Sequence, residues 1–145
     1  MKIKFFGIIS ISIILALISC TNISNVEYTE AKNYFHKTNA PLPTSMKITS
    51  QMAFDSQFGM ATRMGANGIP TAIGFKKSFV LAKVMPQTDT ETTLTPLSLT
   101  KKNNKLILTY RIIEGAKLSY TTQPMFILLV PKAYQDLDIE EQIVE

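Results

Sequence analysis

The stretch Lys105-Leu106-Ile107-Leu108-Thr109-Tyr110-Arg111-Ile112 decides the fold. Extended, it puts Leu106, Leu108, Tyr110 and Ile112 on one side and Thr109 and Arg111 on the other, the period of two expected of a strand with one buried face. Upstream, Thr88 to Thr100 alternates threonine with other residues and brings Leu97 and Leu99 onto one face. Lys101-Lys102-Asn103-Asn104 lies between the two runs as a polar turn, so together they read as a hairpin. Two more strands flank it. Ser78 to Met85 (SFVLAKVM) is a β-rich apolar run ended by Pro86. Met125 to Val130 (MFILLV) is apolar on both faces, as a central strand is, and Pro131 closes it. Glu114-Gly115-Ala116-Lys117 reads as a second turn. From Ala133 onward, Leu137, Ile139, Ile143 and Val144 alternate with acids in a last strand or short helix.

The part before Ser78 is less regular. Val26 to Phe35 stays open between helix and strand: Glu30-Ala31-Lys32 favours the first, Tyr34-Phe35 the second. In either form Tyr34 and Phe35 are expected to pack on the body. Ala40-Pro41-Leu42-Pro43 breaks the segment, because proline removes a donor and restricts its neighbour. Met46 to Ile48 reads as a brief strand. Ser50 offers an N-cap to a short helix from Gln51 to Phe58, with Gly59 as its stop. Gly59, Gly65, Gly68, Pro70 and Gly74 then punctuate the longest loop in the chain. The expectation is a single mainly-β domain over residues 26–145, α+β only in a minor sense. Its form is an antiparallel twisted sheet or small barrel with one short inserted helix.

The chain opens with Lys2 and Lys4, then runs almost wholly apolar from Phe5 to Ser19 before its single cysteine, Cys20. This is the pattern of a secretory signal peptide, and the run falls short of the roughly 20 residues a membrane-spanning helix needs. Leu17-Ile18-Ser19-Cys20 resembles the lipobox of bacterial lipoproteins. That resemblance implies removal of residues 1–19 and acyl groups on the sulfur and new amino terminus of Cys20, a palmitate-type modification. Each buried methylene contributes about 0.8 kcal/mol and one chain of about fourteen carbons binds only marginally, so the three chains implied by the resemblance make anchoring durable. The alternative, an ordinary signal peptide cut elsewhere, would leave Cys20 as a free thiol in an oxidising compartment. Residues 20–25, small and polar after the cysteine, read as a tether. By analogy with lipoprotein sorting, Thr21 rather than aspartate favours the outer membrane. With Glu27 the only acid from Thr21 to Glu27, the chain lacks the acidic run of surface export and is expected to face the periplasm.

Loss of Lys2 and Lys4 with the leader lowers the formal net charge from +4 to +2. Because Asp136, Asp138, Glu140, Glu141 and Glu145 crowd the C-terminal end, the body is more basic than that net value. Such a body suits acidic polysaccharide, lipid head groups or nucleic acid. Scattered lysines, the absence of tryptophan and an export leader argue against nucleic acid.

Chemistry finds little footing. His36 is the only histidine, and none of the serines sits in a strained glycine elbow, so a Ser/His/Asp hydrolase would have to be built through His36. One histidine and one acylated cysteine cannot supply a tetrahedral metal set. The acids of Asp136 to Glu141 lack the glycine spacing of a calcium loop. Asp55, Asp89, Glu91 and Glu114 offer no carboxylate pair that stands out for glycoside hydrolysis. The glycines fit no phosphate-cradling motif. No catalytic residue, metal or cofactor is expected. Binding remains, and its candidates are Met60, Arg63, Met64 and Asn67 in the glycine-rich loop, adaptable side chains at a place where contacts form. Against this, Met60 and Met64 at four-residue spacing also suit packing onto a sheet. The threonine face from Thr88 to Thr95 is either an edge for strand addition or plain solvated surface.

The C-terminal half carries a second resemblance. SFVLAKVMP, a variable hairpin, KLILTYRIIEG and SYTTQPMFILLVPK resemble the C-terminal domain of the protease-complex subunit PrcB over roughly residues 78–132. The matching positions are Leu106, Leu108 and Tyr110, then Pro124, Leu128, Val130, Pro131 and Lys132. That family's first hairpin normally carries Thr-Gly-Gly-Tyr, where this chain has Thr88-Asp89-Thr90-Glu91. The mature chain is also similar to small lipoproteins of Bacteroidetes-type bacteria. The resemblance implies a non-catalytic envelope lipoprotein that binds another envelope protein as a protease accessory or inhibitor. A small-molecule or glycan-binding lipoprotein is the alternative, expected to show a hollow lined by Tyr and Phe. An envelope hydrolase would instead need His36 in reach of a serine.

Overall fold

A computed structural model describes residues 22–38, 40, 42 and 45–145. The leader, Cys20, Thr21, Pro41 and Pro43 lie outside the described residues. In chain order the elements are β1 (Ile23–Asn25), β2 (Thr29–Glu30), β3 (Tyr34–His36), β4 (Met46–Ile48), α1 (Gln51–Gln57) and β5 (Phe58–Met60). A 3-10 turn at Ala66–Gly68 precedes β6 (Ser78–Val84), β7 (Thr88–Lys102), β8 (Lys105–Thr122), β9 (Met125–Pro131) and β10 (Asp138–Val144). The fold is mainly β with one short helix, as the patterning predicts.

Two four-stranded sheets, in the orders β1-β7-β8-β10 and β2-β9-β6-β4, face each other, and β3 pairs with β5 in a small third sheet. The sheets are open at their edges and form no barrel. Between the two large sheets lies one core, in which Phe79, Leu81, Phe126, Leu128 and Val130 meet Leu94, Leu99, Leu106, Leu108 and Tyr110. On its other face that sheet packs Val80, Ala82, Val84 and Ile127, with Ile48 of its edge strand β4, against Phe54 and Phe58 from α1 and β5. The molecule is therefore three layers deep, and β6 and β9 are buried on both sides. This explains why MFILLV and SFVLAKV carry no polar alternation. Each fully buried Leu, Phe or Val contributes about 1.5–3 kcal/mol, enough for two cores to hold a chain with no disulfide.

The short helix is fixed by its ends. Ser50 Oγ accepts from the Ala53 amide at 3.3 Å, capping the first turn. Phe54 is buried, stacked on Phe58 at 5.0 Å and edge-on to Tyr34 at 5.2 Å. Phe58 is already extended, so the helix ends without using Gly59. Gly59 instead lies under the Phe35 ring, where a Cβ would collide with it.

Three sequence expectations need correction. Leu97 and Leu99 do not share a face: Leu99 is buried and Leu97 exposed, because the ladder slips between Pro96 and Ser98. Pro96 has no amide to give the ladder, and a bulge at Leu97 absorbs the defect. Glu114 to Lys117 makes no turn, since β8 continues to Thr122 and takes up the extra residues at irregularities near Thr90 and Thr92. Ile23 to Asn25, read as tether, form β1 and pair with Thr100 to Lys102. Backbone pairing at a sheet edge makes few demands on side chains, so Ile23, Ser24 and Asn25 pair there while all three stay exposed. The C-terminal strand joins its sheet parallel to β8, with Asp138 opposite Lys105 and Val144 opposite Arg111, within an otherwise antiparallel arrangement.

Candidate functional site

The loop between β5 and β6 is built around Asn33. This residue adopts a left-handed backbone (φ 64), which asparagine tolerates better than most residues. Its side-chain amide donates to the carbonyls of Asn67 and Ile69, each at 2.9 Å, and its own carbonyl accepts from the Ala61 amide. Thr71 is tied to Lys32 by a pair of hydrogen bonds, and the Tyr34 hydroxyl donates to the Thr71 carbonyl at 2.6 Å. Within the loop the Arg63 amide donates to Gly68, whose missing Cβ leaves room for the Arg63 carbonyl. The loop is thus anchored along its length.

On that fixed backbone Met60, Met64 and Ile69 face solvent, while Ile73 and Phe75 pack down on the second core. Met60 is 70% exposed, Ile69 71%, and Met64 fully so. The packing alternative for Met60 and Met64 is therefore not what forms. Arg63 and Asn67 are exposed in the same loop, and Asn67 serves the scaffold through its carbonyl. Asn33, Tyr34 and Thr71 have no local signature that would mark them as clamps.

A second constellation, unforeseen from sequence, crosses the sandwich. Lys83 Nζ on β6 lies 3.0 Å from Glu141 Oε2 on β10, and the Tyr110 hydroxyl on β8 donates to the same oxygen at 2.9 Å. Lys83 also lies over the Tyr110 ring, 5.6 Å from its centroid. Burial alone would raise the Glu141 carboxyl, but hydrogen bonds from Ser45, Lys83 and Tyr110 and the lysine charge outweigh it and hold it below its ordinary value. Burial alone would lower Lys83, but Glu141 and Tyr110 hold its ammonium above the usual range. Burial, aided by Glu141, raises the Tyr110 hydroxyl. At neutral pH these groups stay ammonium, carboxylate and phenol, so Lys83 has no free pair with which to act as a base.

Beside this cluster, between β4 and β10, is a cleft of about 170 Å³ floored by Leu81, Ala82 and Leu108 and rimmed by Ser45, Lys47 and Glu141. Its lining is not the Tyr and Phe expected of the small-molecule alternative. Lys47 Nζ is taken up by the Gln135 and Leu137 carbonyls, each at 2.8 Å. His36 is buried with its ring edge-on to Phe58 at 5.7 Å, and its Nε2 has no hydrogen-bond partner among the described residues. It packs as core and forms no hydrogen-bonded pair with a serine through that nitrogen. Among the described residues no group of three His, Cys, Asp or Glu side chains is placed to hold a metal, and no helix is long and apolar enough to cross a membrane. Comparison with known proteins finds no matching family model, no matching curated protein and no matching solved structure.

Proposed function

We propose that the protein is a non-catalytic cell-envelope lipoprotein, anchored through lipid on Cys20, that binds another envelope protein through the loop carrying Met60, Arg63, Met64 and Asn67. The observation that supports this reading is an ordered loop with exposed apolar side chains. A flexible loop with buried methionines would be a simple connection. A loop clamped by Asn33 and displaying Met60, Met64 and Ile69 has already lost the entropy that binding would otherwise cost. Methionine adapts to an uneven partner surface, and Arg63 adds a charged anchor. The partner class is a protease or protease-complex subunit, in line with the resemblance of residues 78–132. The anchor belongs in the outer membrane, with the domain in the periplasm.

A photo-crosslinking residue in place of Met64, in the otherwise intact lipidated protein in living cells, tests the contact. The expected result is an adduct with one envelope protease or protease-complex subunit, absent when the same residue replaces Lys117. Met60→Asp with Ile69→Asp should weaken that adduct about tenfold, the effect of about 1.4 kcal/mol at a binding surface. An adduct indifferent to those substitutions, or equally strong from position 117, overturns the reading. Cys20→Ala should move the protein from the membrane to the soluble fraction, and its retention in the membrane would sink the anchor.

A further inference from the structure

The two ends of the sandwich differ in charge, and the chain enters at the basic one. β1 begins at Ile23, opposite Lys102, so the chain enters the sheet beside the Asn103-Asn104 turn of the β7–β8 hairpin. Lys101, Lys102 and Lys105 flank that turn. The same end holds the start of β6 and the end of β9, where Ser78 pairs with Pro131. Two links fix this alignment: Val26 bonds to Leu99 just before Thr29 pairs with Leu129, and β10 starts opposite Lys105 shortly after Pro131. Lys76, Lys77 and Lys132 therefore join the other three lysines, all but Lys101 well exposed. Glu27, Asp136, Asp138 and Glu140 lie near them, with Glu140 pairing Lys105 at 3.1 Å, so the end keeps a net positive charge. At the far end of the hairpin stand Asp89, Glu91 and Glu114, relieved only by Lys117, which pairs with Asp89 at 3.2 Å. That end is acidic.

We infer that the lysine end is a membrane-contacting face, docking the anchored domain on anionic lipid head groups with the acidic end of the hairpin turned away. This rests on the lipid anchor proposed above. From Cys20 to Ile23 the chain spans at most about 11 Å, given roughly 3.6 Å per residue. The tether is that short because residues 23–25 belong to the sheet. The lysines are thus held close to the head groups, on the scale of the roughly 8–10 Å over which charge acts in physiological salt. One basic side chain near an anionic surface strengthens attachment roughly fivefold. The opposite charge at the other end penalises the inverted pose. The Met60–Met64 loop belongs to the third layer, across the β9-β6 sheet from β1, and stays open to a partner in this orientation.

The test uses the full lipidated protein on phosphatidylcholine vesicles, with and without phosphatidylglycerol, and a water-soluble amine-reactive label read lysine by lysine. On anionic vesicles Lys76, Lys77, Lys102 and Lys132 should label several-fold more slowly, while Lys37 and Lys117 keep their rates. High salt should abolish the difference. Lys76→Glu with Lys102→Glu, both well exposed, should restore labelling of Lys77 and Lys132 without detaching the protein. If the protein floats with the vesicles yet both ends label alike, the docking face is overturned and the anchor stands. If Cys20 carries no acyl chain, the anchor fails and the inference falls with it.

Discussion

Lys83 belongs to one sheet of the sandwich and Glu141 to the other, so their 3.0 Å contact fastens the two together and secures β10. Side-chain exposures of 12% and 22% make this a part-buried pair, for which loss of one partner matters more than the net value of the pair. Lys83→Met leaves the Glu141 carboxylate with the Tyr110 hydroxyl but no counter-charge. The expected cost is about 2 kcal/mol, below the roughly 3–5 kcal/mol of a fully buried pair. Lys83→Met with Glu141→Leu should regain most of it, read as the midpoint of urea unfolding. The pH dependence has a definite sign. Glu141 is depressed in the folded state, so its contribution is complete above the unfolded carboxylate value of about 4.3 and is lost as pH falls through the folded one. Lys83 is raised, so its contribution is complete below about 10.4 and lost as pH rises through the folded value. The urea midpoint should drop on acidification, and less steeply in Glu141→Gln. Equal acid slopes in the two proteins would remove Glu141 from the account.

At the scale of elements, the loop from Gly59 to Gly74 owes its order to a few distant hydrogen bonds. Asn33→Ala removes two amide donations and strands the Asn67 and Ile69 carbonyls, while β6 and β9 are untouched. Stability should fall by about 1–2 kcal/mol, and trypsin should cut after Arg63 roughly tenfold faster, because cleavage follows local opening. Unchanged cleavage at Arg63 would mean that the loop is held by something else. The same contacts show where sequence stops being informative. Continuous apolar runs located β6 and β9, the period of two located the first half of β8, and the Ser50 cap located α1, because those signals are local. Met60, Arg63, Met64 and Asn67 were legible as one loop through their glycines. Asn33 was not, since its partners lie 34 and 36 residues away. Nor was Lys83 with Glu141, 58 residues apart, where each alone reads as surface charge. Leu97 misled because simple alternation knows nothing of the bulge that Pro96 imposes. For β10 the sequence leaves strand and helix open, because its partner, β8, already looks complete as half of a hairpin.

Across the whole molecule, burial is concentrated where three layers overlap and thins along the hairpin. β1 covers only Thr100 to Lys102 on one side, and β10 only Lys105 to Arg111 on the other. From Thr88 to Thr93 and from Ile113 to Thr122, β7 and β8 have only each other as strand partners. Ile113 and Tyr120 are largely exposed, and the pairing is interrupted near Thr90 and Thr92. A two-stranded ribbon is marginal by itself, so this part should open without unfolding the rest. Threonines and the charges of Asp89, Glu91, Glu114 and Lys117 along it discourage edge-to-edge association. β6 and β9, flanked by strands and covered on both faces, can exchange their amides only through near-global unfolding. Hydrogen exchange followed by mass spectrometry should therefore show peptides from 113–121 exchanging about a hundredfold or more faster than those from 126–130, an opening difference of roughly 3 kcal/mol. Lys83→Met should speed the 126–130 peptides by the same free energy it removes from the urea midpoint, and leave 113–121 unchanged. If 113–121 slowed to the rate of β9, the ribbon would have to be packed against another surface, and the division of the hairpin into a buried and an open half would be wrong.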